Sequence, residues 1–342
     1  MESTLLSICI SSYNHGSKCV QLVKKILSIK DKRYNIFICD DNSDEETILK
    51  LKTLMDHQVT VIFNKRNVGP CQNWYRTIDS GNGKYILHIL DRDDVQVKYL
   101  KMIMDILEKN SVGAGYCGRS SAILMKETEK KTGYAICGKG REAFLTLGGV
   151  PVHPTGFVVE KKIWKQDNYK KFFYDTDKYG IYPHSYVLGI IAVKRDLLFS
   201  PVLFYQHIYR SDNKRSGFYK RSNNSNYWWL PRNIIKAYNC LILYLVRVID
   251  DSYKGEFICK KFSDGLDRAT LVYRNVVGNQ QEMERYGLQI DYISPWELLI
   301  ISIKYKMIFT HILKKIGMNK KDIRKKLDNI WRQKIVEIIK EL

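Results

Sequence analysis

The chain has 342 residues, 45% of them hydrophobic and 27% charged, which is enough for a large core and exceeds the usual size of one domain. That balance excludes a disordered chain, and a formal net charge of +20 calls for an anionic partner: nucleic acid, acidic lipid headgroups or phosphorylated small molecules. Eight cysteines with no CxxC pair and no close Cys/His spacing argue against a zinc site and for free thiols in a reducing compartment.

The opening, MESTLLSICISSYN, has no basic leader ahead of its apolar run and reads as a strand from the start. No stretch reaches the roughly 18 uninterrupted apolar residues of a spanning helix, so the expectation is a cytoplasmic protein. Four short β-rich runs follow in order: LLSICI (5–10), NIFICD (35–40), VTVIFN (59–64) and KYILHIL (84–90). Between them, 17–29, 45–55 and 71–80 have helical spacing. Strands alternating with helices predict βαβ units and a mostly parallel sheet with helices on both faces.

A helix is expected over 96–109, then strands at VGAGYCG and SAILMKE, a polar turn, and a strand at TGFVVE (155–160). PHSYVLGIIAV (183–193) reads as a helix and LLFSPVLFYQHIY (197–209) as one long strand, so the second half of this domain is mixed. SDNKRSGFYKRSNNSN is polar and basic, a loop. Helical segments then run over 230–249, 255–286, 295–316 and 320–342. The expected division is an α/β domain over 1–225 and a helical region over 226–342.

Three polar clusters each follow a strand at its C-terminal end: SSYNHG (11–16), DDNSDEET (40–47) and DRDD (91–94). In a parallel sheet these ends open on one edge, where such folds bind ligands. Asp91, Asp93 and Asp94 would repel one another, and a bound divalent cation such as Mg²⁺ or Mn²⁺ relieves that repulsion through oxygen ligands. The plainer alternative is that DRDD caps the following helix.

SICISSYNHG, IFICDDNSDEET and NVGPCQNWYRTIDSGNGKYILHILDRDDV together resemble the N-terminal half of a family 2 glycosyltransferase of the GT-A fold. The resemblance covers about the first 100 residues and implies a Rossmann-like, mostly parallel mixed sheet flanked by helices, with a C-terminal α-helical extension. It implies that Ser11, Ser12, Tyr13 and Asn14 frame the nucleotide and that Asp41 accepts a hydrogen bond from the base, with uracil the expected base and guanine or thymine the alternatives. In the DxD motif, Asp91 with the neighbouring Arg92 would lie near the ribose. Asp93, with Asp91, would hold the metal on the diphosphate, while Asn67 and Gly69 belong to the loop over the base. Asp94 reads as a cap. A divalent ion on the phosphates makes a nucleoside diphosphate a competent leaving group.

The family's acidic catalytic base falls where this chain has His184-Ser185. The candidates are therefore His184, whose imidazole titrates near neutral pH, and Asp177 or Asp175 in YDTDKYG. His153 reads as an acceptor-pocket or loop residue. Arg210, Lys214 and Arg215 are candidates for phosphate contacts in a closing loop, or a solvated basic loop.

Residues 296–342 carry twelve Lys/Arg against five Asp/Glu, with bulky apolar residues among them. Such a segment suits an anionic membrane surface, or a packed bundle or homodimer face. The reading is an inverting, metal-dependent transferase that moves a sugar from a UDP-sugar to a saccharide acceptor on a polyprenyl lipid. The resemblance implies capsule or O-antigen synthesis at the inner face of the cell membrane. A nucleotidyltransferase would want a glycine-rich basic loop where SSYNHGSK stands, and a nucleic-acid binder would not gather carboxylates in its cleft.

Overall fold

A computed structural model describes residues 4–118, 132–148, 152–180, 182–200, 205–206, 230–285, 293–315, 317 and 321–339. The chain divides into two compact units, residues 1–209 and 210–342. The expected boundary near 225, the strand SAILMKE and the basic loop with Arg210, Lys214 and Arg215 all lie outside the described residues.

In the first unit the four apolar runs become β1 (Leu6–Ser12), β2 (Tyr34–Asp40), β3 (Val59–Phe63) and β4 (Tyr85–Leu90). They are linked by α1 (Gly16–Leu27), α2 (Glu45–Lys52) and α3 (Pro70–Ser80). Every residue of β1 and β4 is buried, the pattern of parallel strands covered on both faces. Ile8 lies between Ile36 and Leu87 in register, and β3-β2-β1-β4 run parallel. α1 buries Cys19, Leu22, Val23 and Ile26, the i, i+3, i+4, i+7 face of one helix. Asp44 caps α2 by accepting from the Thr47 N–H at 2.8 Å, with Glu45 and Glu46 in the first turn.

The rest of the unit comprises β5 (Asp94–Val95), α4 (Lys98–Lys109), β6 (Ala114–Tyr116), β7 (Ala135–Cys137), α5 (Arg141–Thr146), β8 (Phe157–Glu160), α6 (Lys161–Gln166), α7 (Lys170–Tyr174), α8 (Thr176–Tyr179), α9 (Pro183–Lys194), β9 (Leu197–Phe199) and β10 (Tyr205–Gln206). One sheet runs β3-β2-β1-β4-β8-β6-β9-β7. Since β8 is antiparallel to β4, its N-terminal end meets the C-terminal end of β4. The single strand expected over 197–209 is instead two: β9 ends at Phe199 in the large sheet, and β10 pairs antiparallel with β5 beside Asp94.

The second unit contains α10 (Pro231–Leu245), α11 (Asp251–Val272), a π-helical turn over Tyr273–Val277, α12 (Gln280–Arg285), α13 (Pro295–Lys315) and α14 (Lys321–Ile339). α11 starts before the expected residue 255 because Asp250 caps it, accepting from the Ser252 N–H at 2.8 Å. Phe262, Tyr305 and Phe309 pack ring on ring with centroids 4.7 to 5.0 Å apart. Gly265 permits that approach, since a Cβ there would fall 2.4 Å from the Tyr305 hydroxyl. Lys261 is fully buried against Asp264 at 2.7 Å, and burial lowers its pKa.

Candidate active site at the carboxyl edge of the sheet

Adjacent parallel strands bring Ser12, Asp40 and Leu90 to neighbouring positions at the sheet edge, and the three acidic or polar clusters leave from there. The Asp41 N–H donates to Ser12 O at 2.9 Å and the Asp91 N–H to Ser11 O at 3.1 Å, so the ladder continues into both acidic loops. Ser11 and Ser12, expected to frame a ligand, could meet one only through their backbone. Both side chains are buried, and the Ser11 hydroxyl lies 2.7 Å from His88 Nε2 and donates to Thr77 at 2.9 Å. Strand pleating turns them into the sheet layers instead of the crevice.

Beyond Ser12 the chain turns through Asn14, whose φ is +55°, a left-handed conformation asparagine tolerates. The Asn14 N–H donates to Ser43 Oγ at 2.8 Å, and Asn14 Oδ1 accepts from the Asp44 N–H at 2.9 Å. Asp40 is buried and accepts from both the N–H and the hydroxyl of Ser43; burial raises its pKa. Tyr13 is left 41% exposed on the rim.

Asp41, 3% exposed, is the anchor of the 64–69 loop. Its Oδ1 accepts from the Val68 N–H at 2.9 Å and Asn64 Nδ2 at 3.0 Å, and its Oδ2 from the Gly69 N–H at 2.9 Å. Asn67 Nδ2 donates to the Asp41 carbonyl at 3.2 Å. Gly69, at φ +85°, sits where a side chain would be strained, and Pro70 starts α3 immediately after it. A carboxylate offers about four lone-pair sites, and three are used here. Sequence reading missed the residues that extend this cluster: Asn64 also bonds Asn73 at 3.0 Å and receives Arg76 at 2.9 Å. A cleft of about 530 Å³ lined by Phe63, Asn64, Lys65, Arg66 and Arg76 opens beside them. The spacing of Asn64 and Arg76, one on a strand exit and one on a helix, carries no sequence signature.

At the β4 exit, Asp91 accepts from the Tyr13 N–H at 2.8 Å and lies 3.4 Å from His15 Nδ1. Asp93 is 6% exposed, bonded by the Thr155 hydroxyl and 3.6 Å from His153 Nδ1. Burial lifts its pKa to about 6, with the Asp91 charge adding to the rise; Thr155 and the exposed Arg92 oppose it. Thr155 and His153 reach Asp93 because β8 returns antiparallel beside β4, a long-range pairing that local spacing does not reveal. Asp94 pairs with Lys25 of α1 and does not join the cluster.

His184 opens α9 as expected but is 1% exposed. Its ring lies against His88 at 5.4 Å and 14°, Phe157 at 4.8 Å and Phe173 at 5.2 Å. Burial, then His88 and His153, hold its pKa well below the ordinary value, so the imidazole is neutral. His88 is likewise pushed down, to about 3, by burial. Asp175 caps α8 through the Lys178 N–H at 3.1 Å, while Asp177 is exposed on the same short helix.

Among the described residues no three His, Cys, Asp or Glu side chains form a metal cage. The donor set at Asp91 and Asp93 nevertheless suits a hard divalent ion that keeps part of its shell for other oxygen ligands. The raised pKa of Asp93 is that of a buried carboxylate short of positive charge, which a cation would supply.

Residues 7–178, half of the chain, match the model described as Glycosyl transferase family 2. The UDP-Glc:alpha-D-GlcNAc-diphosphoundecaprenol beta-1,3-glucosyltransferase WfgD of Escherichia coli is 24% identical over 117 residues, 34% of this chain and 46% of that protein. An uncharacterized glycosyltransferase of Rickettsia conorii is 28% identical over 113 residues, 32% of this chain and 18% of its own length. The chain thus spans less than half the length of the curated relatives it matches. In fold it is similar to Staphylococcus aureus TarS 1–349 in complex with UDP, with a TM-score of 0.55 at 11% identity over 98% of this chain and 88% of the other. It is also similar to the mannosyltransferase PcManGT of Pyrobaculum calidifontis in complex with GDP-Man and Mn²⁺, with a TM-score of 0.52 at 9% identity over 98% and 88%.

Proposed function

The chain belongs to glycosyl transferase family 2, and we propose that it is a glycosyltransferase that moves a sugar from a UDP-sugar to a hydroxyl of a saccharide acceptor with inversion at the anomeric carbon. The observation that carries this reading is the convergence of Asp41, Asp91 and Asp93 on one edge of the sheet, from the exits of β2 and β4, the two parallel strands that flank β1. Asp41 would act at the base end, both by its remaining acceptor capacity and by fixing Asn67 and Gly69 over the base. Asn64 and Arg76 belong to the same end. The exposed Tyr13 and the Asn14 turn would form the floor beneath the nucleotide.

Asp93, with Asp91 beside it, would hold a Mn²⁺ or Mg²⁺ ion. Such an ion, when bound, neutralises the diphosphate as it leaves. The protein's own part is to aim Asp93 through the Thr155 hydroxyl, with His153 beside it, and to fix Asp91 against the Tyr13 N–H. Preorganised partners of this kind cost no reorganisation during reaction. The proton of the acceptor hydroxyl would go to a base in the segment that leads into α9, His184 or Asp177. Of the two, the neutral His184 would need the aromatic layer around it to open, whereas Asp177 is exposed.

The relative from Escherichia coli is named for a diphosphoundecaprenol-linked acceptor. A polyprenyl-linked saccharide in surface polysaccharide synthesis, capsule or O-antigen, at the inner face of the cell membrane, is the proposed setting here. Calorimetric titration of UDP with and without Mn²⁺, on wild type and Asp93→Ala, tests the nucleotide site. Binding that requires the metal and disappears in the variant is the expected result. Failure of UDP, GDP and dTDP alike with Mn²⁺ present would sink the nucleotide-sugar reading.

A further inference from the structure

The helix α13 of the second unit is apolar on two sides. Leu298, Ser302, Tyr305, Phe309 and Ile312 face inward and are buried. On the outside Trp296, Ile300, Ile303 and Met307 are 64%, 51%, 39% and 66% exposed. Their spacing of four, three and four residues makes one continuous stripe. A helix packed on a soluble core normally puts polar residues there. Among the described residues no helix is long and apolar enough to cross a membrane, so the second apolar side is not that of a spanning helix.

Apart from Glu297 in the first turn, the α13 charges that border the stripe are positive. By helical angle Lys304 borders one side of it and Lys306 the other, and the stripe continues into His311 and Lys314. Beside it a cavity of about 480 Å³ lies between α13 and α14, lined by Lys306, Thr310, His311, Lys314, Arg324 and Trp331 as well as Ile303 and Met307. Lys306 lies 4.5 Å over the Trp331 ring and pairs with Asp328 at 2.6 Å. Among the described residues Lys314 and Arg324 have no ion-pair partner. The cleft therefore combines an apolar wall with uncompensated cations.

We propose that this face of the helical unit docks on an anionic lipid surface, with the stripe at the headgroup boundary and the α13–α14 cleft around a lipid phosphate. Interfacial helices show this combination of Trp, Ile and Met on one side and lysines at its margins. Charge argues against a second copy as occupant, since a two-fold contact through this patch would set its cations against themselves. The proposal is separable from the transferase reading, because docking needs no substrate.

The test is sedimentation of the full chain with phosphatidylcholine vesicles, with and without phosphatidylglycerol, at physiological ionic strength. Binding only to the anionic vesicles is expected. Lys314→Ala with Arg324→Ala should weaken it about 30-fold, since each cation near such a surface contributes about fivefold. Met307→Ser with Trp296→Ser should weaken it by about tenfold or more. An unchanged far-UV circular dichroism spectrum and an unchanged urea unfolding curve certify that each variant is folded. Equal binding to neutral vesicles, no binding, or binding indifferent to both variants would overturn the proposal. So would release by millimolar inorganic phosphate at constant ionic strength, which would make the cleft a free-phosphate site. A light-scattering dimer that Met307→Ser converts to monomer, without vesicle binding, would assign the face to a second copy instead.

Discussion

The two ends of the carboxyl edge treat their buried acids in opposite ways. At the β2 exit, Asp41 has three N–H donors from its own chain and closes the 64–69 loop without outside help. At the β4 exit, Asp93 is nearly as buried yet accepts from one hydroxyl, that of Thr155, and its pKa rises to about 6 because burial is not compensated. One acid is satisfied by structure; the other is left in want of positive charge. The difference separates a loop anchor from a site that a cation completes, and it can be broken experimentally at either end.

The largest effect is expected from Asp93→Asn, which preserves shape and a partner for Thr155 but removes the charge. Sugar transfer should fall by about 10³-fold, the scale of losing a principal electrostatic stabiliser, with thermal stability retained. A rate within a few-fold of wild type would put the catalytic charge elsewhere. The same variant reads the burial penalty directly. Asp93 titrates at about 6 when folded and at 3.8 in the reference state, so near neutral pH its ionisation works against folding. In chelator-treated protein, denaturant titration should find Asp93→Asn more stable than wild type by up to about 3 kcal/mol at pH 7. As pH drops through 6 the folded wild type takes up its proton first and the gap narrows, closing below about pH 4. A gap that does not change with pH would mean that Asp93 is compensated by something other than protons.

At the opposite end, Asp41→Ala leaves the Val68 N–H without its acceptor and the Gly69 N–H with Asn67 Oδ1 at 3.1 Å alone. Loss of a charged acceptor for buried donors costs about 1.5–3 kcal/mol. The checks are the urea midpoint and kinetics: KM for the donor should rise more than kcat falls, because the affected loop would lie over the base. A pure loss of kcat would place Asp41 nearer the reacting atoms than this geometry does.

What could be read from the sequence follows the same division. The parallel half was legible because fully buried strands are unbroken apolar runs and because their exits carry Asp clusters and caps such as Asp44. Less legible were interactions that depend on chain return. His153 was expected in an acceptor pocket or loop, and only the antiparallel pairing of β8 with β4 sets it and Thr155 against Asp93. For the same reason a single strand was expected over 197–209 where the chain changes sheets. His184 was correctly placed at a helix start, but no local pattern announces that aromatic rings and His88 enclose it. Ser11 and Ser12 were expected just beyond the strand over 5–10, whereas they are the last two residues of β1, so their side chains are buried in the sheet layers.

The smallest effect belongs to the third acid of DRDD, and it is the control for the other two. Asp94 is one residue from Asp93, yet it bonds Lys25 at the surface, with both side chains more than a third exposed. A pair in that setting contributes at most about 1 kcal/mol, screened further by salt. Asp94→Ala should therefore shift the urea midpoint little and leave the metal dependence of UDP binding intact. If it instead abolished that dependence, the cation would be held by the whole triplet, and the contrast between a satisfied Asp41 and an expectant Asp93 would have to be redrawn around Asp94.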